Sequence, residues 1–214
     1  MKAAMQSFGR ADTLAAMPVA PAGGEGDSGG ASPIPSNVLG VAIFIAAEMM
    51  LFGGLLSAFM ILRAENAQWP PVGQPRLPLP ITTVNSFVLF ASGWMVISAI
   101  RAIRKGDRKA LTARLLLTLI LGATFLLVQG AEWIRLIKFG LSVSSSLYGG
   151  LFYTLVGMHA VHVMGAVAAL CVVLRLARRD RYSRNEYSGV IACALYWCFV
   201  VLLWGIIYAT VYLD

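Results

Sequence analysis

The chain alternates between long apolar stretches and short polar or basic segments. Five apolar runs cover approximately residues 37–63, 81–103, 111–137, 148–176 and 187–213. Each run exceeds the roughly 20 residues that an α-helix needs to cross the hydrocarbon core of a bilayer. The strands of a membrane β-barrel would instead alternate apolar and polar residues over segments of about ten residues. The pattern therefore predicts an all-α, polytopic membrane protein whose five transmembrane helices form one bundle over residues 36–214.

The first 35 residues differ from the rest of the chain because they are rich in Gly, Ala, Pro and Ser. They contain no apolar segment of the kind found in a secretory signal. Such a composition offers too little apolar surface to offset the entropy lost on folding. We therefore expect residues 1–35 to form a flexible N-terminal tail.

Composition and charge agree with a membrane protein. The chain is 58% hydrophobic and 13% charged, whereas a soluble domain is about 45–50% apolar and about 25% charged. The formal net charge is +7, and most of the basic residues lie in the connections between runs two and three and between runs four and five. They do not form a face interleaved with aromatic residues, so nucleic-acid binding is not expected. Their bias predicts a cytoplasmic N-terminus and an external C-terminus.

The connection after the first run is rich in proline, which favours an extended path over a helix. We expect its Trp69 at the outer headgroup level.

The cysteines Cys171, Cys193 and Cys198 lie inside apolar runs with no C-x-x-C spacing. They indicate neither a disulfide framework nor a zinc site.

Glu48 is an acidic residue in the middle of the first run. A carboxylate in hydrocarbon is costly, so it should face the bundle interior and be either neutral or paired. Two interpretations are open at this point. Glu48 is either a proton-handling or lipid-regulated site, or a protonated glutamic acid that is hydrogen-bonded across a helix interface.

Two further polar pairs lie in runs three and four. Gln129 and Glu132 are three residues apart, as are His159 and His162, the only histidines of the chain, so each pair shares a helix face. The short connection predicts that these helices are antiparallel neighbours, and we expect a Glu132–His contact that offsets the cost of burial. A structural hydrogen-bonded cluster is favoured over a proton relay.

Metal and heme ligation are disfavoured for the same residues. A protein metal site needs three or four ligands, and two imidazoles on one helix turn cannot bracket a heme iron. We therefore expect no metal site and no catalytic residue in this chain. Gly157 and Gly165 flank the histidines on nearly one face, which predicts a close-packed seam between helices.

In order and spacing, these features resemble subunit III of heme–copper terminal oxidases over about residues 37–214. The matching motifs include Ile45-Ala-Ala-Glu48, Trp69-Pro-Pro71 and the Gly157-Met-His-Ala-Val-His-Val-Met-Gly165 segment. The signature positions are Trp69, Asn85, Tyr148, Gly157, Gly165, Trp197 and Trp204.

The sequence departs from the family pattern at three positions. The family commonly has His at Cys198, Asp at Val201 and Gly at Ala160, so the polar cluster is expected to be smaller here. Many members have seven spans, and this chain resembles the shorter five-span form that lacks the first two.

The resemblance implies a non-catalytic accessory subunit of aerobic respiration in the bacterial inner membrane. Such a subunit carries no cofactor of its own, because heme and copper belong to the partner subunits. It packs against catalytic subunit I, with subunit II also in the complex, stabilises the catalytic subunit, and supports proton uptake as oxygen is reduced to water. The family also holds phospholipid in a cleft, part of which is missing from a five-span member.

Two other functions are consistent with parts of the pattern. The accessory protein of nitric oxide reductases is also a five-span homologue, but the Trp-Pro-Pro loop and the Gly106-Asp-Arg-Lys109 turn favour an oxidase. A small proton-coupled transporter would use Glu48 as its coupling carboxylate. Transporters often show inverted repeats and broken helices, and neither is visible here.

Overall fold

The computed structural model describes residues 34–66 and 79–213, and within these ranges the chain is helical apart from short connections. The helices are α1 (Ser36–Glu65), α2 (Leu79–Arg104), α3 (Arg108–Lys138), α4 (Leu147–Arg178) and α5 (Ser188–Tyr208), and α5 continues into a π-helical turn (Ala209–Leu213). All five helices are long and apolar enough to cross a membrane. The prediction of an all-α protein with five transmembrane helices is confirmed. Trp69, the proline-rich connection around it and nearly all of the N-terminal tail lie outside the described residues.

The short connections carry the signals that start the helices. The Asp107 side chain accepts a hydrogen bond from the backbone N–H of Ala110 at 2.9 Å, and Ser146 accepts one from Gly149 at 3.0 Å. Both residues are N-caps, which satisfy backbone donors that the first turn of a helix leaves unpaired. Gly106 before Asp107 has a φ of +79°, a conformation that glycine adopts without steric cost. The chain therefore reverses within a few residues between α2 and α3.

Four of the helices close into a ring. Helix α2 packs on α3, α3 on α4, α4 on α5, and α5 on α2, while α1 packs mainly against α5 and touches α4. Only 6% of the apolar central segment of α1 is buried, whereas 56% is buried in the corresponding segment of α5 and its π-helical continuation. Helix α5 is therefore the centre of the fold, and α1 is attached at its periphery.

Two tryptophans of α5 join it to α2. The Trp197 indole N–H donates to the Ser92 hydroxyl at 3.0 Å, and the Trp204 indole N–H donates to Ser86 at 2.8 Å. Both indole rings are fully buried. An indole N–H in an apolar interior needs such a partner, so these two pairs set how α5 faces α2.

Trp197 also requires a glycine on the neighbouring helix α3. A Cβ atom added at Gly122 would lie 2.3 Å from Cη2 of Trp197, whereas one added at Gly130 of the same helix would meet nothing within 4 Å. Small residues in membrane helices allow this kind of close approach. Gly122 is thus needed for the seam between α3 and α5.

We predict that Gly122→Ala destabilises the bundle by about 1–3 kcal/mol, because the added methyl group overpacks the Trp197 site. The measurement is thermal unfolding of the detergent-purified chain, with Gly130→Ala as the matched control. Gly130→Ala should leave stability unchanged or raise it, since alanine is the better helix former. Equal melting temperatures for the two variants would contradict this packing.

Candidate functional site

The first polar cluster lies between α2, α3 and the end of α5. The Glu132 carboxylate accepts hydrogen bonds from the Thr82 hydroxyl at 3.0 and 3.1 Å and from the Gln129 amide at 3.1 Å. The same amide nitrogen lies 3.4 Å from the Tyr212 hydroxyl of the π-helical turn. All four residues are buried. Side chains of α2 and α3 thus donate to a carboxylate that water does not reach, and the π-helical turn joins the cluster through the Gln129 amide.

The expected Glu132–His contact is wrong. The His159 ring is 1% exposed and stacks on Trp204, with ring centroids 5.2 Å apart and planes 27° apart. Neither ring nitrogen has a hydrogen-bond partner among the residues that the structure covers. Helices α3 and α4 do pack together, but Glu132 bonds to Thr82 of α2 and His159 faces α5. The predicted cluster is therefore divided: Gln129 and Glu132 stay together, whereas neither histidine joins them.

The second histidine meets the carboxylate of α1. His162 Nε2 lies 2.8 Å from Glu48 Oε2, and the side chains are only 12% and 13% exposed, respectively. The Phe52 ring packs edge-on against the imidazole at a centroid distance of 5.1 Å. Because α1 has few other polar contacts with the bundle, the Glu48–His162 pair is its main polar attachment within the span.

The other ring nitrogen of His162 bonds to its own helix. His162 Nδ1 lies 2.7 Å from the Met158 carbonyl oxygen, which can only accept, so Nδ1 carries a hydrogen. Nε2 is left facing the Glu48 carboxyl group at 2.8 Å. Glu48 Oε2 has no partner in hydrogen-bond geometry among the described residues, so the pair is a close polar contact and not a formed hydrogen bond.

Of the remaining signature positions, Asn85, Tyr148 and Gly157 pack within the bundle and Gly165 does not. The Asn85 amide donates to the Phe125 carbonyl at 3.1 Å and so ties α2 to α3. Tyr148 is buried near the start of α4. A Cβ atom added at Gly157 would lie 4.0 Å from Trp133, whereas one added at Gly165 would meet nothing within 4 Å, and Gly165 is exposed. The predicted seam is therefore wrong for Gly165, because that side of α4 has no neighbouring helix in the described part of the chain.

Two of the departures from the family pattern lie on α5. Val201 packs its side chain against Gly93 of α2, at 3.3 Å from the position of a Cβ atom there. Cys198 is partly buried and packs against the hydrophobic core. Apolar contacts thus occupy the positions at which the family commonly has Asp and His.

Sequence reasoning missed the hydroxyl groups that serve the buried polar side chains. Thr82, Ser86 and Ser92 bond to Glu132, Trp204 and Trp197, respectively. The signal was present as small polar residues that recur at helical spacing along one face of the second run. Tyr212 carried no comparable signal, because an aromatic residue at a span end is as typical of the membrane interface.

A polar pocket and an apolar groove lie where α1 and α5 begin and α4 ends. The pocket, of about 590 Å³, is lined by Arg181, Tyr182 and Ser188 among others. The groove, of about 440 Å³, is lined by Phe44 and Tyr196 together with small apolar side chains of α4 and α5. Burial, followed by the nearby Cys193, raises the pKa of Tyr182, so its hydroxyl remains a neutral donor.

No group of three or more His, Cys, Asp or Glu residues that could hold a metal ion occurs in residues 34–66 and 79–213. The fold and these sites define a class: a multi-pass membrane bundle with isolated intramembrane polar groups. The family described as cytochrome c oxidase subunit III matches residues 35–214.

Individual relatives agree. A cytochrome c oxidase subunit 3 of Thermostichus vulcanus is 32% identical over 83% of this chain and 87% of its own length. One from Synechocystis sp. is 35% identical over 83% and 75%, and a probable one from Nocardia farcinica is 33% identical over 81% and 86%. The chain belongs to the cytochrome c oxidase subunit III family. It is therefore a subunit of a heme–copper oxidase complex and works with other oxidase subunits.

We predict that Thr82→Val destabilises the bundle by roughly 1–3 kcal/mol, because the buried Glu132 carboxylate loses a donor. Unfolding of the detergent-purified chain measures the change. The matched control is Thr124→Val, which removes an exposed hydroxyl that bonds only to Ile120 of its own helix and should change stability by less than about 0.5 kcal/mol. A Thr82→Val protein as stable as the control would show that Glu132 does not need this donor.

Proposed function

We propose that this chain is the non-catalytic accessory subunit III of a heme–copper terminal oxidase in a bacterial inner membrane. In this proposal it packs against catalytic subunit I, together with subunit II, and carries no heme or copper itself. Its N-terminus is cytoplasmic and its C-terminus external, as the distribution of Lys and Arg predicts. It stabilises the catalytic subunit and supports proton uptake during the reduction of oxygen to water.

The observation that carries the proton-uptake role is the Glu48–His162 pair. The two groups lie 2.8 Å apart, which is close enough for a proton to pass between them when they align. The pair lies between α4 and α1, and α1 is the least covered helix of the bundle, so the pair is near the edge of the bundle although its side chains are mostly buried. Intramembrane ionisable residues of this kind mark proton or ion pathways.

Glu132 does not share these properties. Its carboxylate is enclosed by hydroxyl and amide donors and is 2% exposed. Glu132 joins α3 to α2 through Thr82, and Gln129 joins it to the end of α5 through Tyr212, which favours a structural role for Gln129 and Glu132. His159, stacked on Trp204, is likewise assigned to packing.

A bound phospholipid fits the pocket and groove at the start of α1 and α5. Arg181 and the neutral Tyr182 hydroxyl supply donors for a phosphate, and the apolar groove beside Phe44 and Tyr196 accommodates an acyl chain. The first turns of α5 contribute to the lining of both cavities, which favours one lipid across the two.

We predict that this chain, purified by affinity from its native membrane in mild detergent, brings a large many-span subunit and an oxygen-reactive heme with it. A reduced-minus-oxidised spectrum and partner masses measure this. The partner masses also identify the catalytic subunit, which distinguishes an oxidase from a nitric oxide reductase. A chain that is recovered alone and colourless from several mild detergents would contradict the proposed assembly.

We predict that Glu48→Gln leaves assembly intact but slows proton uptake modestly and shortens the lifetime of the oxidase during turnover by a few-fold. The Gln amide can still donate to His162 Nε2, but it cannot pass a proton on. Oxygen consumption over time and the pH change on reduction measure the two effects. The matched control is Glu65→Gln, at the exposed end of the same helix.

Two results would contradict this role for Glu48. Turnover and proton uptake equal to those of Glu65→Gln would exclude proton handling by the pair. Loss of assembly in Glu48→Gln would make Glu48 a structural hydrogen-bonding group.

A further inference from the structure

A basic cavity of about 330 Å³ lies where α2 ends and α3 begins. Its lining includes three basic side chains, Arg101, Lys105 and Arg114, and one acidic side chain, Asp107. The Asp107 carboxylate is already used as the N-cap of α3. No ion pair neutralises the three basic residues within the described ranges. The cavity therefore carries an excess of positive charge, with three basic side chains against one carboxylate.

The structure holds two of these cations in place. Arg114 reaches from α3 to donate an Nη1–H bond to the Ser98 carbonyl of α2 at 2.5 Å, and a guanidinium group keeps further donors for a ligand. The Arg101 guanidinium carbon lies 5.1 Å from the centroid of the Trp94 ring, a cation–π distance. The donors are thus partly ordered before a ligand binds, which lowers the entropy lost on binding.

An apolar stripe leads from this cavity along α2 towards the middle of the span. The stripe consists of four exposed side chains, Phe87, Phe90, Trp94 and Ile97, which are spaced three or four residues apart. Arg101 of the cavity follows at the same spacing. Trp94 is the largest of them and is 58% exposed. Residues three and four apart lie on one helix face. The cavity is therefore continuous with an uncovered apolar track.

We propose that this cavity and stripe form a binding site for an anionic phospholipid. The phosphate lies among Arg101, Lys105 and Arg114, and one acyl chain follows the stripe past Trp94. The excess of positive charge favours a headgroup without an ammonium group, such as phosphatidylglycerol, over a zwitterionic one. The stripe favours a lipid over free phosphate, because a free anion gains nothing from apolar contacts. This site lies on α2 and α3 and is separate from the pocket beside Arg181.

The test is a lipid titration of the full chain, delipidated in mild detergent and followed by native mass spectrometry. The ligands are phosphatidylglycerol, phosphatidylcholine with the same acyl chains, and inorganic phosphate. We expect phosphatidylglycerol to bind best, and Arg101→Gln/Lys105→Gln to weaken its tightest adduct by about 10- to 30-fold, as the loss of two basic groups at a membrane surface predicts. The site beside Arg181 is unchanged in this variant, so it contributes equally to phosphatidylglycerol binding by the variant and by the unmodified chain.

The control is Lys109→Gln/Arg178→Gln, which removes two positive charges from the same end of the bundle but outside the cavity. It should bind phosphatidylglycerol like the unmodified chain. If both double variants bound phosphatidylglycerol equally weakly, the effect would come from the total positive charge at this end of the bundle, and the proposed site would be wrong. Equal binding of the two lipids, or inorganic phosphate that competes as well as phosphatidylglycerol does, would overturn the assignment of an anionic lipid. Thermal unfolding of both variants verifies that they remain folded.

Discussion

Polar side chains within the hydrocarbon region determine how the helices of this protein face one another. Because lipid offers no hydrogen-bond partner, a buried carboxylate, amide or indole N–H is stabilised when a neighbouring helix supplies one. Glu132 finds Thr82, and the tryptophans Trp197 and Trp204 find serines of α2. Apolar packing alone would leave the rotation of each helix poorly defined, since lipid tails are as apolar as the side chains they would replace.

Helix α1 is held differently from the other four. It buries Phe52 and Phe59, donates from Asn37 to Ser188 of α5 at 3.1 Å, and meets His162 through Glu48. Most of its remaining surface is apolar and uncovered. In a subunit of a larger complex, other chains or lipids complete the surroundings of such a helix, and the Glu48–His162 contact lies near that boundary.

Both lipid sites proposed for the chain follow one physical scheme. In each, a short connection at one end of the bundle supplies basic or neutral donors, and an apolar groove or stripe continues from it along the helices. Arginine suits this position because its stem lies along apolar surface while the guanidinium reaches the phosphate level. In this proposal, Lys and Arg residues whose distribution predicts the membrane orientation also bind headgroups.

The sequence by itself determined the fold class, the number of helices and the acidic, amide and histidine side chains within the membrane, because helix length and the rarity of charge in hydrocarbon are properties of single segments. It did not single out the hydroxyl groups of α2 that serve them. It did not determine which polar residues meet. Glu132 and His159 lie on adjacent helices, yet Glu132 bonds to α2 and His159 stacks on α5, while Glu48 pairs with His162. Those partnerships depend on the rotation of each helix about its own axis. That rotation is a balance of contacts with several neighbours at once, and only the tertiary structure contains it.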